Sequence, residues 1–303
     1  KRIFFFIITN IAILLVLSIF LSLLGFTGIL QSNGIDLDYD SLMLFSLVFG
    51  MGGSFISLYM SKWMAKSLAG VKVIQSPKNQ FESWYVQIVE SQSQKLGIKT
   101  PEIGIFNSPS PNAFATGSSK NNSLVALSTG LIESMNKNEI EAVIGHEMSH
   151  VANGDMVTLS LIQGIINAFV IFFSRVIGHF VDRVILKNDR GYGIGYFFTV
   201  IFAQVILGIL ASTIVCWFSR RREFRADFGG AQLTSKEAMI SSLRTLEKMS
   251  AAKLPDQMLA FGISNQGNSQ TLRKLFSTHP PIRDRILALE NTNFSENLNQ
   301  QQV

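Results

Sequence analysis

Residues 140–150 read Ile-Glu-Ala-Val-Ile-Gly-His-Glu-Met-Ser-His, and this stretch decides the fold of the chain. Its apolar residues recur at helical spacing, which predicts a helix that begins near Asn138. On a helix, His146 and His150 lie one turn apart on the same face, so both imidazoles can reach one zinc ion. Glu147 lies beside that position and is suited to act as a general base. Because the chain has only four histidines, chance would produce this pattern in about one chain in several hundred, and the stretch therefore predicts a catalytic zinc site.

A zinc ion held by two histidines needs a third protein ligand, and residues 222–227, Arg-Glu-Phe-Arg-Ala-Asp, offer one. Glu223 is the candidate ligand. Asp227 lies one helical turn later, where its carboxylate can accept the second ring N–H of a zinc histidine and fix its tautomer. Acidic residues one turn apart beside arginines are also typical of a solvated, ion-paired helix face, and the spacing alone leaves both interpretations open. Cys216 is the only cysteine, so any metal must be held by histidine and carboxylate.

The composition indicates a membrane protein. The 303 residues are 47% apolar and only 16% charged, with a mean hydropathy of +0.29, whereas soluble domains carry about 25% charged residues. The formal net charge of +5 is too small an excess to indicate nucleic-acid binding, and no basic stripe with interleaved aromatic residues is present. A single cysteine cannot form an intramolecular disulfide, so nothing in the sequence requires an oxidising compartment.

Four apolar runs are long enough to cross a bilayer: residues 3–30, 42–60, 156–177 and 194–218. The first run exceeds the usual apolar length of a signal peptide, and no clear cleavage site follows it. We therefore expect a retained helix that forms a hairpin with the second run, in which glycines would allow close helix approach. The third and fourth runs contain uncharged polar residues, so they are either two more spans or buried helices of a large core.

Basic residues predict the sidedness of these runs. Lys62 and Lys66 follow the second run, whereas the acidic hinge at residues 36–40 has no lysine or arginine. The positive-inside rule therefore places the chain after the second run in the cytoplasm, and the Arg-Arg-Arg run at 220–222 is a further cytoplasmic signal. The loop at 179–190 is also basic, so the topology signal between the third and fourth runs is mixed.

Together these patterns predict an α+β, mostly helical, multi-pass membrane protein. Within its soluble part they predict a helix at 81–96 and short strands at 102–106, 112–116 and 124–128. The expected segments are an N-terminal transmembrane hairpin (1–60), a cytoplasmic domain that carries the zinc-binding helix (61–155), a second pair of hydrophobic helices, transmembrane or membrane-embedded (156–218), a cytoplasmic helical part that completes the zinc site (219–290) and a disordered tail (291–303).

Four motifs occur in order along the chain. They are Asn-Ala-Phe-Ala-Thr-Gly at 112–117, the histidine motif at 146–150 followed by Asn-Gly-Asp, the run Arg-Arg-Glu-Phe-x-Ala-Asp that ends at Asp227, and Thr-His-Pro-Pro at 278–281. Together they resemble the HtpX heat-shock membrane proteases, which are bacterial relatives of the CAAX prenyl proteases within the gluzincin metallopeptidases. The resemblance extends from the first hydrophobic hairpin to about Leu289.

This resemblance implies a zincin-like catalytic domain, in which an active-site helix accompanies a small β-sheet, with one Zn2+ per chain. It implies that Glu223 is the third zinc ligand, which the spacing alone left open. It also implies a zinc endopeptidase of the bacterial inner membrane whose active site faces the cytoplasm and which degrades misfolded or damaged membrane proteins under envelope stress. The implied partners are unfolded or misfolded membrane-protein substrates and the lipid bilayer, with no nucleic acid, and the sequence predicts no oligomeric state.

One matched segment is expected to bind the substrate. It resembles the edge strand of the family, whose main chain would pair with an extended substrate by strand addition. The alternative is an ordinary surface strand. The residues concerned are Asn112, Ala113, Phe114 and Ala115.

Two residues near the carboxyl end have roles that follow from the same resemblance. His279 resembles a residue near the metal and is expected to be catalytic by stabilising the oxyanion of the tetrahedral intermediate. Its alternative role is to cap a helix at Pro280. Arg285 is expected to orient His279 or to hold a nearby carboxylate.

Two other functions compete with a quality-control protease. A CAAX-type protease would share the zinc chemistry but act on prenylated peptides, and the four candidate spans are fewer than such enzymes have. A non-catalytic zinc-binding membrane protein or transporter would carry ionisable residues inside its spans. Here the histidine and glutamate cluster lies outside the apolar runs, whose only charged residue is Arg175.

Overall fold

The computed structural model describes residues 38–188, 191–252 and 277–292. The first apolar run and the tail from residue 293 lie outside the described residues. The predictions of an N-terminal hairpin and of a disordered tail therefore stay predictions.

The described chain is mostly helical with one small sheet, as the sequence predicts. The helices are α1 (Tyr39–Leu68), α2 (Gln80–Leu96), α3 (Thr129–Ser134), α4 (Lys137–Asn153), α5 (Asp155–Phe180, continued by a π-helical turn, Val181–Ile185), α6 (Ile194–Leu233), α7 (Lys236–Ala252) and α8 (Ile282–Glu290). The strands are β1 (Lys72–Val73), β2 (Glu102–Phe106), β3 (Ala113–Ser119) and β4 (Asn122–Ser128). The short strand β1 was not predicted.

Three of these helices are long and apolar enough to cross a membrane: α1, α5 with its π-helical turn, and α6. Many large apolar side chains of α1 and α6 are exposed, and only 22% of the most apolar window is buried in α1 and in α5, and only 6% in α6. A buried helix of a soluble core would hide these side chains, so the structure favours the membrane-spanning interpretation of the third and fourth apolar runs.

The chain divides into two compact units, and each of these three helices contributes to both. Among the described residues, the first unit contains 38–55 and Leu161–Ser212, and the second contains Ile56–Ser160 and the residues from Thr213 onwards. The predicted boundary between residues 218 and 219 falls inside α6, which is one continuous helix of 40 residues. Nothing interrupts α6 there, since the sequence has neither proline nor a turn motif at that point.

Two helices of the first unit, α1 and α5, are in close main-chain contact. Gly50 of α1 lies against the main chain of Ala168 in α5, and a Cβ atom at Gly50 would overlap it. Gly164 of α5 packs in the same way against Met51 and Ser54. Small residues at such crossings let two membrane helices approach each other closely.

The second unit is built around a four-stranded sheet in the order β1-β2-β4-β3. Strands β2 and β4 are parallel, and the other neighbouring pairs are antiparallel. Strand β4 is almost entirely buried, and β3 lies at the sheet edge and packs against α4. The core between the sheet and the helices contains Tyr85, Val125, Leu127, Ile144 and Met148.

Helix α4 begins and ends at well-defined caps. Asn136 and Glu139 form a capping box at its start, and Glu139 also accepts hydrogen bonds from Ser241 and Thr245 of α7. Gly154 ends the helix in the left-handed conformation, with φ of 66°, which glycine adopts without strain. The chain therefore turns at once into α5 and brings the first residue of α5 back towards the end of α4.

Helix α4 crosses α6 at glycines. Gly230 of α6 lies so close to α4 that a Cβ atom there would be 3.0 Å from the main-chain nitrogen of His146 and 3.2 Å from the carbonyl oxygen of Ala142. Gly145 faces Gly230 from the other side of the contact, where a Cβ atom on Gly145 would be 3.2 Å from the Cα of Gly230. The helix with the histidines and the helix with Glu223 can approach this closely only because neither has a side chain at the crossing.

We expect Gly230→Ala to lower the free energy of unfolding by about 1–3 kcal/mol, because the added methyl group overpacks the α4–α6 crossing. The measurement is thermal unfolding of the full chain in detergent. Gly208→Ala is the matched control on the same helix, since no atom lies within 4 Å of a Cβ there, and it should leave stability unchanged or slightly higher. Equal effects of the two substitutions would contradict the packing argument.

Candidate metal centre

The crossing of α4 and α6 brings His146, His150 and Glu223 together. The Nε2 atoms of the two histidines are 3.2 Å apart, and the carboxylate oxygens of Glu223 lie 3.5 Å from Nε2 of His146 and 3.4 Å from Nε2 of His150. Ligand atoms in a tetrahedron around zinc lie about 3.4 Å from one another, because each zinc–ligand distance is about 2.0–2.2 Å. The three side chains therefore fit one zinc ion, with a fourth position left for water or substrate.

The hydrogen bonds on the other ring nitrogens set the tautomers that a metal requires. Nδ1 of His146 lies 2.9 Å from the carboxylate of Asp227, and Nδ1 of His150 lies 2.7 Å from that of Asp155. A carboxylate accepts a hydrogen bond, so each Nδ1 carries a hydrogen, and each Nε2 is left to present a lone pair to a metal ion once its own proton is displaced. Asp227 thus occupies the place that the helical spacing predicted for it.

Asp155 was not predicted as a site residue. It lies five residues after His150, beyond the glycine that ends α4, so no helical spacing relates the two. It is buried as the first residue of α5, where the sharp turn directs its carboxylate at the ring. An acidic residue directly after a glycine cap, close behind the second histidine, is the signal that could have identified it.

Arg285 of α8 binds Asp227 through two parallel hydrogen bonds. Its Nε donates to one carboxylate oxygen at 2.7 Å and its Nη2 donates to the other at 2.5 Å. Its Nη1 also lies 3.5 Å from Glu223. Of the two roles expected for Arg285, the structure therefore shows the holding of a carboxylate, and α8 is connected to the site through a buried ion pair.

The surrounding carboxylates make the site favour positive charge. Burial alone would lower the pKa of His150, but its hydrogen bonds to Asp155 and Glu223 outweigh burial and raise the pKa to about 10. Burial also opposes protonation of His146, and again hydrogen bonds to Asp227 and Glu223 leave its pKa raised. An environment that stabilises a cation on these rings is equally suited to a divalent metal ion.

Glu147 is buried next to His146 on α4, and its charge acts on Tyr85 in the core of the second unit. Burial raises the pKa of the Tyr85 hydroxyl, and the negative charge of Glu147 raises it further. That hydroxyl donates a hydrogen bond to the carbonyl oxygen of Val125 at 3.3 Å. Tyr85 thus stays neutral and connects the core below Glu147 to the central strand of the sheet.

His279 contacts the site from the segment before α8. Its Nδ1 lies 2.7 Å from a carboxylate oxygen of Glu223, and its side chain is 63% exposed. The alternative role as a helix cap does not hold, because the N-cap residue of α8 is Pro281 and no side chain caps that helix. His279 therefore lies on the solvent side of the proposed third ligand.

The predicted substrate strand lies at an edge of the sheet that is free within the described residues, and its register divides its four residues into two pairs. The carbonyl oxygen of Asn112 accepts a hydrogen bond from the main chain of Ser128, so Asn112 faces β4. Because main-chain groups alternate in direction along an antiparallel pair, Phe114 also faces β4, whereas Ala113 and Ala115 present their N–H and C=O groups to the free edge. Of the four predicted residues, therefore, the two alanines are the ones that offer main-chain groups to an added strand.

Comparisons with known proteins agree with this geometry. The model of peptidase family M48 matches residues 79–293. The Protease HtpX of Thioalkalivibrio sulfidiphilus is 57% identical over 96% of this chain and 98% of its own length, and that of Pseudomonas putida strain KT2440 is 53% identical over 95% and 98%. The crystal structure of S. mikatae Ste24p superposes with a TM-score of 0.55 at 15% identity, over 88% of this chain and 66% of that one, which shows a shared fold.

These matches confirm the resemblance that the motifs indicated and the α+β, mostly helical fold class. They span the candidate metal ligands on α4 and α6 as well as the segment with His279. The three apolar helices agree with a membrane location. The chain therefore belongs to peptidase family M48 and is a membrane zinc metalloprotease.

Proposed function

We propose that this chain hydrolyses peptide bonds of misfolded or damaged membrane proteins at the cytoplasmic face of the bacterial inner membrane. The observation that carries the proposal is the convergence of His146, His150 and Glu223 beside Glu147, on a helix that packs against β3, whose outer edge pairs with no other described strand. A metal site, a base and a main-chain recognition edge are together what an endopeptidase of broad sequence tolerance needs.

The proposed cofactor is one Zn2+ per chain, held by His146, His150 and Glu223. When bound, zinc supplies Lewis acidity that polarises a carbonyl and lowers the pKa of a water molecule towards 7. Glu147 is the proposed general base, which takes a proton from the attacking water and delivers it to the leaving nitrogen. Asp155 and Asp227 hold the two imidazoles in the tautomer and orientation that this arrangement requires.

His279 is proposed to act on both the ligand and the substrate. Its Nδ1 contact fixes a carboxylate oxygen of Glu223. Because the ring is largely exposed, its other face is accessible to a bound peptide. A donor at this position would stabilise the negative charge that develops on the carbonyl oxygen in the transition state.

The substrate is proposed to bind as an added strand at β3. Hydrogen bonds from the main chain of Ala113 and Ala115 would hold an extended segment without reading its side chains. A folded protein cannot offer such a segment, so strand addition favours unfolded substrates. This is the physical basis for proposing misfolded proteins as the substrate class.

The cytoplasmic orientation is supported by the distribution of basic residues. Lys62 and Lys66 lie in the part of α1 that belongs to the second unit, where they form ion pairs with Glu102. Arg220 and Arg221 lie in the part of α6 that belongs to the same unit. The positive-inside rule assigns such residues to the cytoplasmic side.

Glu147→Gln tests the catalytic proposal. We expect it to retain zinc and to lose cleavage of an unfolded membrane protein by about 100-fold or more, because the base is lost while the ligands stay. The measurement is cleavage by the full chain in detergent, with zinc or with a chelator, beside the control Glu141→Gln on the same helix. A wild-type cleavage rate that the chelator leaves unchanged, or full activity of Glu147→Gln, would refute the mechanism. Cleavage confined to prenylated peptides would favour the CAAX-type alternative.

Glu223→Ala tests the third ligand. We expect it to weaken zinc binding by more than the roughly 100-fold that loss of an outer hydrogen-bond partner causes, because two histidines alone hold zinc poorly. The measurement is zinc competition with a chromophoric chelator. Glu237→Ala removes an exposed carboxylate from α7 and should leave the affinity unchanged. Full zinc occupancy in Glu223→Ala would show that Glu223 is not a zinc ligand.

Ala115→Pro tests strand addition. Proline removes one outward N–H from the free edge, so we expect KM for an unfolded substrate to rise several-fold while zinc affinity is unchanged. Ala115→Val keeps the N–H and is the control for a change of side chain. An unchanged KM in the proline variant would show that the β3 edge does not bind substrate.

A further inference from the structure

The metal centre has a second buried arginine besides the one that binds Asp227. Arg222 of α6 is only 8% exposed. Its Nη1 donates to the main-chain carbonyl of Asp155 at 2.9 Å, and its Nη2 donates to the hydroxyl of Ser219 at 3.1 Å. The carboxylate of the same Asp155 accepts the hydrogen bond from His150 at 2.7 Å.

The guanidinium of Arg222 is only partly satisfied in its buried position. The hydrogen bonds of its guanidinium go to a carbonyl and a hydroxyl, and its Nε–H has no partner within the part of the chain that the structure describes. The charges of Asp155 and Glu223 attract the guanidinium without a direct ion pair, so the cost of burying it is only partly compensated. A buried group left partly unsatisfied calls for an explanation in terms of the site that it borders.

The contacts around Arg222 form a closed ring. Arg222 is covalently next to Glu223 on α6, and it is hydrogen-bonded to the turn that carries Asp155. Asp155 holds the ring of His150, whose Nε2 returns to within 3.4 Å of Glu223. A shift of α6 relative to the α4–α5 turn would therefore change the distance between two of the candidate zinc ligands.

We propose that Arg222 is a positioning residue that sets the distance between Glu223 and His150 by holding the main chain of Asp155. This inference rests on the proposed zinc site. Arg222 binds the main-chain carbonyl of Asp155, so the carboxylate of Asp155 remains available to His150. The carboxylate of Asp227, in contrast, accepts hydrogen bonds from Arg285 as well. Arg222 thus controls the geometry at the second histidine without weakening the carboxylate that orients it.

The test compares Arg222→Met with Arg221→Met in the full chain in detergent. Arg221 is exposed, and its guanidinium lies 4.4 Å from the centre of the Trp217 ring. Its substitution therefore removes the same charge but leaves the contacts between Arg222, Asp155 and His150 in place. Zinc affinity is measured by competition with a chromophoric chelator, and ligand geometry by the visible spectrum of bound Co2+. We expect Arg222→Met to lose about 10- to 100-fold in zinc affinity and to shift the Co2+ bands, and Arg221→Met to match wild type.

Arg222→Lys keeps the charge and is the second variant, which is informative even if Arg222→Met does not fold. A single ammonium group cannot hold both the carbonyl of Asp155 and the hydroxyl of Ser219 in the planar geometry of a guanidinium. We therefore expect a smaller loss of zinc affinity with a shifted Co2+ spectrum. Wild-type affinity together with a wild-type spectrum in Arg222→Lys would overturn the proposal.

A double-substitution cycle tests whether Arg222 affects zinc binding through Asp155. Asp155→Asn leaves the carbonyl that Arg222 binds, so the two substitutions should be strongly non-additive in zinc affinity if Arg222 acts through Asp155. Additive losses would overturn the proposal, as would a lower unfolding temperature of Arg222→Met with unchanged zinc affinity. Zinc binding needs no proteolysis, so a wild-type chain that binds zinc but cleaves nothing would contradict the proposed function and not this inference.

Discussion

The structure depends on one constraint: two imidazole nitrogens of α4 and a carboxylate of α6 must converge to within about 3.5 Å of each other. In the unprotonated form that binds a metal, the lone pairs of these atoms repel one another at that distance, so side-chain attraction alone does not create the arrangement. The glycines at the α4–α6 crossing make it possible, because they bring the two main chains into contact at Gly145 and Gly230. The caps of α4 and the turn at Gly154 then fix where that helix ends relative to its neighbours.

The buried charges around the site follow from the same constraint. Four buried carboxylates surround it, from Glu147, Asp155, Glu223 and Asp227, and two buried arginines oppose them. When all six groups are ionised, two negative charges are left, which equals the charge of one divalent cation. Uncompensated buried charge is costly, so a network with neutral histidines is balanced only when a divalent metal ion is bound. The raised pKa values of both histidines reflect the same demand for positive charge, which two protons can meet in place of a metal ion.

The sequence predicts best which side chains of one helix lie on the same face. The histidine motif and the Glu223–Asp227 pair each repeat at helical spacing, so a single local rule orders their side chains, and the structure brings these residues together in the expected arrangement. Asp155 and Arg222 were missed because their contacts cross a helix end or join two elements, and no periodicity encodes such contacts. The sequence places Arg222 only in a basic cytoplasmic run and in a matched motif, without a role of its own, since a buried and an exposed arginine look alike in a sequence.

The continuity of α6 explains why a membrane anchor and a zinc ligand belong to one element. The apolar part of this helix ends at Phe218, and Glu223 follows five residues later, which is about 8 Å along the helix axis. A linker would let the ligand move relative to the bilayer, but an uninterrupted helix does not. In the proposed function, this continuity would keep cleavage close to the membrane surface. Extended segments that emerge from a bilayer meet this condition, whereas a soluble substrate would first have to approach the membrane.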